Sequence, residues 1–80
     1  MAVDILKAFG KAVKLRRVEL DLTQENVGER SGLARSFVAS IERGEKAASV
    51  TSIGQLAKAL DCNPSDIWLV AERLMRGSPG

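Results

Sequence analysis

Side chains able to do covalent chemistry are sparse in this chain. It has no histidine and one cysteine, Cys62, so its serines lack the commonest general base and no metal-type cysteine spacing exists. The carboxylates do not cluster, and the glycines form neither a phosphate-binding loop nor a dinucleotide fingerprint. No catalysis, metal or cofactor is therefore expected. What remains is the chemistry of recognition. In LARSFVASIERG, Leu33 to Gly44, the large apolar residues Leu33, Phe37, Val38 and Ile41 recur at helical spacing. The opposite side carries only Ala34, Ser36, Ala39 and Ser40, with Arg35 and Arg43 near its ends. Helix faces turned to water usually carry long charged side chains. A face this small can lie close against base edges, where arginine takes guanine bidentately, serine contacts several bases and an alanine methyl meets thymine.

Such a helix needs a frame. The 80 residues suffice for one domain with a small core, for which oligomerisation is a natural supplement. Scarce aromatics and scattered β-branched residues favour an all-α fold. The net charge is +2 with a pI near 9.0, which permits an anionic partner without demanding one. Lys7, Lys11, Lys14, Arg16 and Arg17 lie in the first helical segment, whereas Glu25 and Glu29 lie in the next. No apolar run reaches membrane-spanning length and no signal peptide is recognisable, so a cytoplasmic protein is expected. Cys62 reads as a partly buried thiol.

Helical periodicity predicts a first helix over about 3–20, tolerating Gly10. Thr23 is the expected N-cap of a second helix, although Asn26 stands where a capping box prefers Glu. Gly32 stops that helix with a left-handed turn. A third helix runs from about Ala34 to Arg43 and is closed by Gly44. Ser49 caps a fourth, VTSIGQLAKAL, and Asn63 with Pro64 starts a fifth carrying Ile67, Trp68, Val70, Ala71 and Leu74. Residues 1–75 are expected to form the domain and 76–80 a frayed tail.

The second and third helices are joined by a very short turn, and Gly28 supplies the small side chain that a close crossing needs. This is the geometry of a helix-turn-helix, whose second helix enters the major groove. LTQENVGERSGLARSFVASIERG and the following SVTSIGQLAKAL resemble the XRE/Cro/phage-repressor family of helix-turn-helix DNA-binding proteins, over Val13 to Leu60. The chain departs from that pattern at Gly28, where alanine is usual, at Ala48, where proline is usual, and at Ser31, a normally apolar position.

The resemblance implies a compact five-helix, lambda-repressor-like bundle. It implies base reading by Arg35, Ser36 and Ser40, with Ala39 beside them. Thr23, Gln24, Arg43 and Lys46 are the corresponding phosphate contacts, with Gln24 also bracing the recognition helix. Glu42 is expected to pair with Arg17 inside the motif and so is left out of the reading set. Ile67, Trp68, Val70 and Leu74 are candidates for a dimer interface, since family members commonly pair through C-terminal elements. The expected function is a homodimeric, sequence-specific transcriptional regulator on double-stranded DNA. A restriction–modification controller leads, with a small phage repressor and an antitoxin-type interaction module as alternatives. In an activator, Glu25 and Glu29 would offer a contact to RNA polymerase.

Overall fold

Most helix starts in this chain are set by short polar side chains. A computed structural model describes residues 4–77, which fold into α1 (Ile5–Glu19), α2 (Gln24–Ser31), α3 (Arg35–Glu42), α4 (Val50–Ala59) and α5 (Pro64–Met75), with no strand among the described residues. The Asp4 carboxylate accepts the Leu6 N–H at 2.9 Å, and the Ser49 hydroxyl accepts that of Ser52 at 3.0 Å. At α5, Asp66 accepts the Asn63 N–H at 2.8 Å while Pro64 occupies the first turn. Each contact satisfies a backbone donor that the helix itself leaves free.

The α2 cap is better than the sequence suggests. The Thr23 hydroxyl accepts the Asn26 N–H and the Asn26 carbonyl accepts the Thr23 N–H, both at 3.0 Å. Asn26 thus completes the reciprocal box that glutamate usually closes. α3 is one residue shorter at each end than its periodicity suggests, because Ala34 and Arg43 are its flanking caps. The expected start of α1 near Val3 and the last positions of the tail, 78–80, lie outside the described residues.

Two helices stop in the same way. α1 ends at Leu20 with Asp21 at φ 58°, and α4 ends at Leu60 with Asp61 at φ 54°. Aspartate is one of the few non-glycine residues to adopt this left-handed conformation readily. The chain then reaches the cap of the next helix two residues later, Thr23 in one case and Asn63 in the other.

The core is small and made mostly of aliphatic side chains: Val13, Val27, Val38, Ile41, Leu56 and Leu60 are fully enclosed. α1 is the central strut, packed on α5 and on α3, while α2 packs on α3 and α4. Phe9 meets Trp68 at 5.0 Å between ring centroids, tilted by 46°, a favourable aromatic arrangement that ties α1 to α5.

Candidate nucleic-acid interface

α2 and α3 cross closely because Gly28 has no side chain. A Cβ there would stand 2.9 Å from the Leu33 carbonyl oxygen and 3.4 Å from the Arg35 nitrogen. The turn between them uses Gly32 at φ 78°. Ser31, buried at a position that is usually apolar, is satisfied locally. Its hydroxyl donates to the Gly28 carbonyl at 3.3 Å and accepts the Leu33 N–H at 3.2 Å. Gln55 of α4 donates to the Ser31 carbonyl at 3.2 Å, so the turn is held from both sides.

The orientation of α3 is fixed from behind by a charged network. Arg17 Nε donates to Glu42 Oε2 at 2.7 Å and Nη2 to Oε1 at 3.0 Å, in a two-pronged pair. Arg17 Nη1 donates to the Leu22 carbonyl at 2.9 Å, and Gln24 Nε2 donates to Glu42 Oε1 at 3.0 Å. The Glu42 side chain is 3% exposed and that of Arg17 14%. Both Glu42 oxygens are therefore engaged within the protein, and this glutamate is turned away from any base. Hydrogen bonding to Glu42 raises the Arg17 pKa above its usual value. Gln24, expected both at a phosphate and as a brace, gives one of its two amide hydrogens to the brace.

Two glycines give α1 its close approach to the far end of α3. A Cβ on Gly10 would press on the Ile41 carbonyl oxygen and lie 2.8 Å from that of Glu42. Gly44, at φ 74°, leaves no room for one either, since Lys7 Cα would be 2.8 Å away. Sequence reasoning gave Gly10 no role. The available signal was its cost: a glycine kept inside a helix usually has a packing reason.

The outward face is as small as the sequence implies. Arg35 and Ser36 are exposed on the first turn of α3, and Ala39 and Ser40 are half-buried behind them. The Ser40 hydroxyl donates to the Ser36 carbonyl at 3.0 Å, leaving its lone pairs as acceptors. Arg35 shares a shallow crevice with Thr23, Gln24 and Glu25 at the start of α2. Thr23, Arg43 and Lys46 are exposed. Arg43 is engaged by Glu45, through Nε–Oε2 and Nη2–Oε1 contacts of 3.0 Å each. This hydrogen-bonded pair pushes the Arg43 pKa up and the Glu45 pKa down.

α1 and α5 border a groove whose wall joins the apolar Leu15, Leu69 and Val70 and the thiol of Cys62 to charged residues that include Arg16, Glu19, Asp66 and Arg73. Leu15 is 46% and Leu69 52% exposed, whereas Trp68, Val70 and Leu74 are half-buried. Ile67 corrects the sequence reading: at 2% exposure it belongs to the protomer's own core, and Leu69 and Leu15 are the exposed apolar side chains along this groove. Their positions on the outer sides of two helices become visible only once α1 and α5 are packed. Burial pushes the Cys62 thiol up, which makes it less nucleophilic at neutral pH. Among the described residues, no helix is long and apolar enough to cross a membrane, and no three or more His, Cys, Asp or Glu residues gather as metal ligands.

Taken together, a glycine-crossed helix pair, a small outward face and a braced second helix define a helix-turn-helix protein. Residues 13–67 match the helix-turn-helix family, and the chain belongs to it. The chain is 32% identical over 66 residues to the competence pilus inhibition repressor of Acinetobacter baylyi, covering 82% of its own length and 60% of the repressor's. It is 31% identical over 68 residues to the control protein C.BamHI of Bacillus amyloliquefaciens, covering 84% of each. The crystal structure of the restriction–modification controller protein C.AhdI from Aeromonas hydrophila superimposes with a TM-score of 0.76 at 39% identity, over 78% of this chain and 94% of that one.

Proposed function

We propose that this chain is a sequence-specific DNA-binding transcriptional regulator of the restriction–modification controller type, working in the cytoplasm as a homodimer on a two-fold operator. The observation that carries the reading is the division of α3 into two faces. Glu42 is locked behind it by Arg17 and Gln24, while Arg35 and Ser36 stand free in front. The likeness to C.BamHI and C.AhdI supports the controller class.

In this reading α3 lies in the major groove, with Arg35 and Ser36 on base edges and Ala39 and Ser40 close behind. Thr23 and Gln24 at the α2 N-terminus and Arg43 and Lys46 after α3 take phosphates, which set register without reading sequence. Residues 4–75 belong to the domain, and the α1/α5 groove pairs with that of a second copy through Leu15, Leu69 and Val70, with Trp68 and Leu74 of α5 beside them. A two-fold dimer then presents two reading helices to half-sites about 34 Å apart. Glu25 and Glu29, exposed on α2, would meet RNA polymerase when the protein activates.

Selection of bound duplexes from random DNA tests the reading. A two-fold consensus, with affinity falling steeply as salt rises, is the expected result. Recovery of unenriched sequence would overturn it.

A further inference from the structure

We propose that Glu45 is a built-in counter-charge to Arg43, weakening the grip of the loop after α3 on the DNA backbone until a phosphate takes its place. The proposal rests on the DNA-binding reading above. Residues two apart on a helix do not face each other. Here Gly44 at φ 74° lies between them, and the left-handed turn brings the guanidinium and the carboxylate together. The contact is two-pronged, with Nε–Oε2 and Nη2–Oε1 each at 3.0 Å.

The backbone beneath the pair has little freedom. The Gly44 N–H donates to the Ile41 carbonyl at 3.0 Å and the Glu45 N–H to that of Ser40 at 2.9 Å, and Lys7 packs directly against Gly44. The tips are free by contrast: both side chains are 57% exposed. A pair rigid at its base and open at its ends is preformed yet exchangeable. An exposed carboxylate holds its partner weakly in water. A phosphate backed by the dense charge of a duplex is the stronger acceptor. Arg43 can thus turn from Glu45 to DNA without any change in the fold.

The test is fluorescence anisotropy with a mixed-sequence duplex across a range of salt, comparing wild type, Glu45→Gln, Arg43→Gln and the double variant. Glu45→Gln is expected to bind about two- to fivefold tighter. Its plot of log affinity against log salt should be steeper by about one unit per protomer. Arg43→Gln should weaken binding more in the Glu45→Gln background than in the wild type, because only there is Arg43 unopposed. Glu45→Gln that binds no tighter than a wild type that does bind overturns the Glu45 assignment alone. A wild type without salt-dependent binding overturns the DNA reading together with it. Thermal melts confirm equal folding, which the exposure of both side chains leads one to expect.

Discussion

Gly10 of α1 faces the backbone of Glu42 at the end of α3, so closely that a Cβ at position 10 would lie 2.8 Å from the Glu42 carbonyl oxygen. The same glutamate carries the side chain that Arg17 grips. α1 therefore holds the end of α3 twice, by backbone contact and by charge.

Replacing Gly10 by alanine inside a helix would ordinarily stabilise by about 0.5–1 kcal/mol. Here the sign reverses. The methyl group has only backbone carbonyls to displace, and overpacking of this kind costs about 1–3 kcal/mol. Urea denaturation of Gly10→Ala should show a lower midpoint at unchanged slope. A midpoint equal to or above that of the wild type would mean that α1 can shift freely along α3.

Glu42→Gln removes the charge that answers Arg17 in a setting that is 3% and 14% exposed for the two side chains. Leaving one partner of a buried pair uncompensated costs about 3–5 kcal/mol. The lower end is expected, since Arg17 keeps the Leu22 carbonyl at 2.9 Å. Chemical denaturation reads this directly, and an unchanged stability would remove Glu42 from its structural role.

Arg35→Ala should leave stability within about 0.5 kcal/mol, as for an exposed surface site. It should relax discrimination at one operator position by about 1–3 kcal/mol. Competition binding with single-position operator variants measures this. A uniform loss on all duplexes would instead reassign Arg35 to a phosphate.

Leu69→Asp tests the pairing surface. At 52% exposure the residue contributes little to the protomer's core, so the fold should persist. Sedimentation equilibrium should shift to the monomer and affinity for a two-half-site duplex should fall. A dimer of unchanged strength would place the interface elsewhere.

The elements were legible because their punctuation is local. Thr23, Gly32, Ser49, Asn63 and Pro64 each act within a turn of helix, and each stands where the sequence reading put it. The outward face of α3 was legible for the same reason: helical spacing alone separates Ser36 and Ser40 from Val38 and Ile41. Contacts across the fold were harder to read. Gly10 and Gly44 are spaces whose purpose depends on which backbone arrives there. Ile67 was assigned to an interface because an apolar stripe on one helix does not say how much of it the protomer consumes. Sequence reasoning gave Glu45 no role, because sequence spacing conceals a pairing made across a left-handed glycine.

Arg16 and Arg17 are neighbours in sequence but point about 100° apart around α1. Arg17 holds the α2–α3 side through Leu22 and Glu42. Arg16 holds the α4–α5 junction, donating to the carbonyls of Leu60 and Asp61 at 3.0 Å each. Both also sit beside the two aspartate stops that end α1 and α4. One turn of α1 is thus a yoke between the helix pair proposed to read and the helix proposed to pair. In a two-fold dimer such a yoke acts as a gauge. One base pair inserted between the half-sites rotates one of them by about 36° and moves it about 3.4 Å, and a frame clamped at both ends has no hinge with which to follow.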